Sequence, residues 1–214
     1  VNNSFESAEE QAAFDVYDAN NINPLYGFFV ARAGLGASES MRSKLAEYND
    51  PRLSRAFITK QGTSGKEQAP GTADNAVYAP NGTPEQGTSK YGTSLFMYSI
   101  SAPTLLLSYH ELKFLEAEAL CRLERDAKSA LKDAVVAGLL NAENSFTISR
   151  KELGKTLINA ASSITEAEAE SYFDNTIEAK YTAEPLKTTM TQKYFALWGA
   201  SGEATESYND VRRM

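Results

Sequence analysis

Residues 110–114 read HELKF, which opens like the zinc-binding helix of a metalloprotease. That chemistry needs a second histidine four residues on, so that two imidazoles share one helix face. Position 114 is Phe114, and His110 is the only histidine in the chain. Any Ser-His-Asp triad would have to use the same residue, and a packing role at a helix start is the better reading. ELGKT, residues 152–156, ends like a phosphate loop but has Ser149 where the upstream glycine belongs. GLGASE, residues 34–39, fails the dinucleotide pattern at Glu39, and DANNIN, residues 18–23, is broken as a calcium loop by Ile22 and Asn23. Glu111, Glu116 and Glu118 could supply a glycosidase acid and base only if set across a cleft. Glu116 and Glu118 lie two apart in a helical pattern and point different ways, so a solvated or ion-paired face is expected. The Asn2-Asn3-Ser4 and Asn81-Gly82-Thr83 triplets match a glycosylation pattern that chance supplies often. No catalytic set, metal site or cofactor motif emerges, and binding is favoured over chemistry.

The chain has 214 residues, 42% hydrophobic and 23% charged, enough to bury a full core. Its net charge of −7 gives no basic stripe for nucleic acid. No run approaches the apolar length of a membrane span. The lone Cys121 excludes an intrachain disulfide and reads as a small buried hydrophobe.

Three textures follow one another. Residues 1–60 are mixed. Ser7 and Glu10 have capping-box spacing ahead of a helical pattern over 7–18. ANNINPLYGFFVA reads as a turn followed by a short strand or extended run. Ser38 is the expected N-cap of a helix with Met41, Leu45 and Tyr48 on one face, stopped by Asp50-Pro51. Residues 61–94 are rich in glycine and proline and lack Leu, Ile, Met and Phe, so they read as a long loop. From 103 onward the pattern is helical. Leu112, Leu115, Ala119 and Leu123 form one stripe, widened by Phe114 and Leu120. Ala127, Leu131, Ala134, Val135 and Leu139 form the next. Ser149 with Glu152, and Thr165 with Glu168, have capping-box spacing, and Ile164 is placed as a staple. Ala169, Tyr172, Phe173 and Thr176 share a face. Pro185 suits a first helical turn and Gly199 a helix end. Small alanines alternating with large apolar residues predict stacked helix pairs of α-solenoid type.

Three segments carry a resemblance. SAPTLLLSYHELKFLEAEALCRL is similar to the signature helix of the SusD/RagB family, through Tyr109, Glu111, Leu115 and the EAEAL of 116–120. TQKYFALWGASGEATESYNDVRR resembles that family's late helix pair, with Gln192-Lys193-Tyr194, a glycine-containing turn, Asp210 and paired arginines. MRSKLAEYNDPRLSRAF resembles a third recurring segment, a helix closed by Asp50-Pro51-Arg52-Leu53. They stand in family order over residues 38–213.

The resemblance implies a mainly α fold of tetratricopeptide-like helix pairs with a long ligand-side loop insertion. The chain is expected to be one partial domain: mixed helix and loop over 1–60, a long loop over 61–98 and a helical core over 99–214. It implies a non-enzymatic, cell-surface component of a nutrient importer, lipid-anchored at the outer membrane in the parent protein. Its implied partners are an oligosaccharide or peptide ligand and a TonB-dependent porin of the SusC type. Family members begin at a lipidated cysteine and continue past the paired arginines, so the sequence is expected to be a piece cut from a longer protein. Family ligands are gripped by aromatic faces, and Tyr78, Tyr91 and Tyr98 are the candidates by position in the loop. Phe96 and Trp198 read as core. A helical-repeat adaptor without a small ligand is the alternative; the length of the loop argues against it.

Overall fold

The computed structural model describes residues 5–32, 36–61, 66–68, 78–82, 91–98, 100–153, 162–199 and 203–213. It is mainly helical and forms two compact units, made of residues 1–15, 103–142 and 164–214, and of residues 16–102 and 143–163.

The first unit is built on helices paired antiparallel. Ser108 caps α3 (Tyr109–Arg122) by accepting the Glu111 N–H at 3.0 Å. After a turn in which Glu124 takes a positive φ, α4 (Lys128–Leu153) runs back along it, with Lys113 3.9 Å from Asp133. Gly138 makes the next contact possible: a Cβ there would come within 2.9 Å of the Ala196 Cβ on α7 (Pro185–Leu197). The helix α5 (Glu166–Tyr172) continues through a π-helical stretch, Phe173–Ile177, into α6 (Glu178–Ala183). This run lies antiparallel to α4. Lys132 reaches Asp174 at 2.8 Å, Lys128 pairs with Glu178, and the Ala127 N–H donates to the Tyr181 hydroxyl at 2.8 Å. α7 returns antiparallel to both α3 and the α5–α6 run: Cys121 Sγ is 3.6 Å from Thr189 Oγ1, and Gln192 donates to the Tyr172 hydroxyl at 3.4 Å. Pro185 opens α7 and Gly199, at φ 82°, follows its end. A 3-10 turn, Glu203–Thr205, leads into α8 (Glu206–Arg213).

The core stripe of α4 lies as expected, with Ala127, Leu131, Ala134, Val135 and Leu139 all buried. Thr165 caps α5 as expected, accepting the Glu168 N–H at 3.2 Å above a buried Ile164. Other expectations need correction. The stripe on α3 is rotated: His110, Glu111, Phe114, Ala117 and Glu118 are buried, while Leu115 and Leu123 are 40% and 65% exposed. Glu118 is held by the half-exposed Arg122 and Arg213, so this polar face turns inward. Ser149 does not start a helix; it is buried inside α4, which runs on to Leu153. The expected helix over LGKTLINAA falls mostly outside the described residues. Ser7 and Glu10 behave as caps, the Glu6 N–H donating to Glu10 at 2.7 Å, but the helix stops after Ala8–Glu10. The chain then extends as β1 (Ala12–Phe14), antiparallel to β5 (Thr104–Leu107). Strand pairing outweighs the helical preference of two alanines.

The second unit holds α1 (Pro24–Arg32) and α2 (Glu39–Glu47). ANNINPLYGFFVA reads as a turn and then a strand or extended run; the turn stands, but the apolar run is helical from Pro24. The Asn23 carboxamide accepts the N–H groups of Leu25 at 2.8 Å and Tyr26 at 3.4 Å, and Pro24 fills the first turn. Ser38 caps α2, accepting from Met41 at 3.3 Å, and Met41, Leu45 and Tyr48 are buried. The helix ends where Asn49 takes a left-handed φ of 49°. Asp50 then caps a 3-10 turn, Pro51–Ser54. A small sheet follows in the order β3-β2-β4, from β2 (Phe57–Gln61), β3 (Lys66–Gln68) and β4 (Thr93–Ser94). The stretch read as a long loop therefore contains two short strands, both antiparallel to β2.

Candidate ligand-binding region

Three chain segments are stitched together beside α2. The Ala79 N–H donates to the Ala37 carbonyl at 2.8 Å, the Glu39 N–H to Ala79 at 3.1 Å, and the Ala37 N–H to Gly92 at 2.8 Å. Residues 78–80 and 91–93 are thus held on either side of Ala37, each by backbone bonds that do not depend on side-chain identity. Tyr78 and Tyr91 are brought into one neighbourhood by this device.

Their environments differ. Tyr78 is half-buried. Its ring meets Phe57 of β2 edge-on, centroids 5.2 Å apart and planes at 86°. The Arg42 guanidinium of α2 lies 5.5 Å from the ring centroid. Edge-to-face packing and a cation over the π face each favour one ring orientation, so Tyr78 is an oriented, partly exposed aromatic. Tyr91 is 5% exposed and packs within the unit. Tyr98 ends the 3-10 helix Leu95–Tyr98, and its side chain lies outside the described residues. Phe96 is core, packed on Phe146 at 4.7 Å, and Trp198 is half-buried. Sequence reasoning missed Arg42 and Phe57, which position Tyr78. The available signal was a β-type hydrophobic residue right after the NDPRLSRA segment and a cation one turn into a well-capped helix.

The three segments that carried the family resemblance have a different role: they assemble buried polar clusters. In NDPRL, the Arg52 guanidinium grips Asp50 through two bonds, at 2.8 and 2.6 Å, with side chains 2% and 0% exposed. Arg55 Nε donates to the Ser162 carbonyl at 2.7 Å. In the helical unit, Lys193 of α7 is 3.1 Å from Asp210 of α8, and Arg213 Nε donates to Asp210 at 3.0 Å. Arg213 also forms a two-pronged pair with Glu118 of α3, which Arg122 joins at 2.7 Å. Burial pushes the Glu118 carboxyl up, but hydrogen bonds from Arg213 and Arg122 outweigh it and hold the group below the usual carboxylate range. The hydrogen bond to Glu118 in turn raises Arg213. Glu116, two residues away, is exposed and pairs with Lys113 at 3.0 Å. Glu116 and Glu118 thus face a solvated surface and a part-buried ion cluster respectively, not two walls of a cleft.

Antiparallel helix pairs locked by ion pairs define the first unit as a helical-repeat architecture. The chain belongs to the SusD-like family described as starch-binding and associating with the outer membrane, which it matches over residues 1–214. It is similar to a SusD/RagB family protein from Bacteroides thetaiotaomicron VPI-5482, at 62% identity and a TM-score of 0.93, over 99% of this chain and 45% of that one. A SusD homologue from Bacteroides fragilis NCTC 9343 shares the fold at 19% identity, TM-score 0.69, over 98% of this chain and 46% of that one. A chitin-binding protein does so at 20% identity, TM-score 0.60, over 95% and 43%. The chain therefore spans less than half the length of these solved relatives. No curated protein matches it significantly.

Proposed function

We propose that the parent protein captures glycans at the bacterial outer membrane, as the binding component of a nutrient importer, and passes them to a TonB-dependent porin of the SusC type. The observation that carries this reading is the family match over the whole chain, with a structural relative at 62% identity. The family's description as starch-binding and the chitin-binding neighbour favour a carbohydrate over a peptide. A lipid anchor in the parent protein belongs to the same reading.

Tyr78 is the aromatic we assign to the ligand; Tyr91 is 5% exposed and packs within the unit instead. A ring fixed by Phe57 and Arg42 loses little rotamer freedom on stacking against a sugar, which lowers the cost of binding. The protein acts by binding rather than hydrolysis: Glu118 is committed to two arginines and Glu116 to a surface lysine. The test is calorimetric titration of the full-length protein with starch-derived and chitin-derived oligosaccharides, together with co-purification of a porin. Absence of binding to every glycan class would reject the reading.

A further inference from the structure

The helix α3 has neighbours on three sides. Cys121 faces α7, its Sγ 3.6 Å from Thr189 Oγ1; Glu118 is bonded to Arg213 of α8; Lys113 lies 3.9 Å from Asp133 of α4. At about 100° of turn per residue, these contacts occupy the arc from Lys113 through Cys121 to Glu118. The opposite arc carries Leu112, Leu115, Ala119 and Leu123, all within about 80° of one another. Leu112 is half-buried and Ala119 exposed, and Leu115 and Leu123 are 40% and 65% exposed. One exposed leucine needs no explanation, but a stripe that is apolar at every position does. Its spacing of three, four and four residues is that of a seam along which one helix packs on another. The stripe runs the length of α3, about 17 Å. Beside it stand one acid, Glu116, and one base, Arg122, so it has no charged rim of a single sign.

We infer that this stripe is the seam for a further helix, supplied by the part of the parent protein outside residues 1–214 and laid along α3. Two observations choose this occupant. The chain covers 45% of the solved relative that it matches at 62% identity, so more than half of that relative lies outside the matched stretch and can supply helices. The stripe also has the composition of a contact already made inside the unit. Ala119 stands among leucines as Gly138 stands between Val135 and Leu139 on α4, where Ala196 of α7 comes close. A small residue within a seam lets two helix axes approach. Covering the leucines removes apolar surface from water, the main driving force for such a contact. The helix α3 then turns its polar face to the arginines and its apolar face to the added helix, and is an inner helix of the parent protein.

The experiment uses the full-length parent protein. Hydroxyl-radical footprinting of the folded wild type reads whether the stripe is covered. Leu115 and Leu123 should be oxidised roughly tenfold more slowly than in the denatured protein, as contact with another helix requires. A slowing of only about two- to threefold, which is what 40% and 65% exposure allow, would overturn the proposal. A photo-crosslinking benzoylphenylalanine at position 115 then reads what covers it; should that variant lose its helical circular dichroism, the same group goes to position 123. Mass spectrometry should place the cross-link on a peptide of the same chain outside residues 1–214. A cross-linked dimer, a link to another protein or to lipid, or a link back into residues 1–214 would each refute the assigned occupant.

Discussion

At the scale of single residues, the sequence motifs are mostly scaffold. Asp50 and Arg52 are two positions apart, fully buried and bonded only where the 3-10 turn brings them face to face. Replacing Asp50 with alanine leaves a buried guanidinium without its carboxylate, and such losses cost about 3–5 kcal/mol. We expect Asp50→Ala to destabilise the protein by about that amount in denaturant unfolding, with Asp50→Asn recovering part of it. Tyr78 is the contrasting case. Its ring is partly exposed and fixed by neighbours on α2 and β2, so Tyr78→Ala should cost affinity more than stability. His110 packs at the start of α3 as its sequence reading expects, but the position of Glu118 inside the core was not legible. Sequence placed apolar Leu115 and Leu123 inward because hydrophobicity is the usual guide to burial. What reversed the helix face was the set of cations on α7 and α8, about seventy to a hundred residues away in sequence.

Among the elements, those with local signals were readable and those made by distant pairing were not. The Ser38 and Thr165 caps and the Pro185 start all place helices correctly, since each acts within a turn of itself. Thr165→Ala should cost about 1 kcal/mol by loss of the Glu168 N–H bond, read as a lowered thermal midpoint. The start of α1 was also written locally, as Asn23 followed by Pro24, but the apolar run behind it outweighed that signal. β1, β3 and β4 have two or three residues each, and nothing in a segment that short announces its partner. Gly138 makes a prediction at this scale. Alanine there gains about 1 kcal/mol of helix propensity but meets the Ala196 Cβ at 2.9 Å, and overpacking typically costs about 1–3 kcal/mol. Gly138→Ala should therefore be neutral to destabilising by up to about 2 kcal/mol, and a larger residue worse; a clear gain in stability would show that α4 and α7 separate easily.

For the molecule as a whole, family and mainly helical architecture were legible because three motifs in fixed order specify buried ion clusters, and such clusters require particular residue types. For the proposed ligand region, the sequence names residues but not their arrangement. A glycine- and proline-rich stretch marks where a loop departs, but the backbone bonds through Ala37 that hold Tyr78 and Tyr91 beside α2 leave no pattern in sequence. Tyr78 is proposed to stack on a glycan. Calorimetric titration of the full-length protein with starch- and chitin-derived oligosaccharides, for wild type and Tyr78→Ala, tests it most directly. A stacked ring is worth on the order of 1 kcal/mol, so we predict saturable binding to at least one glycan and a several-fold to about tenfold loss in the variant, with an unchanged circular dichroism spectrum. Equal affinities for wild type and variant would contradict the assignment of Tyr78, and no binding to any glycan would contradict glycan capture itself.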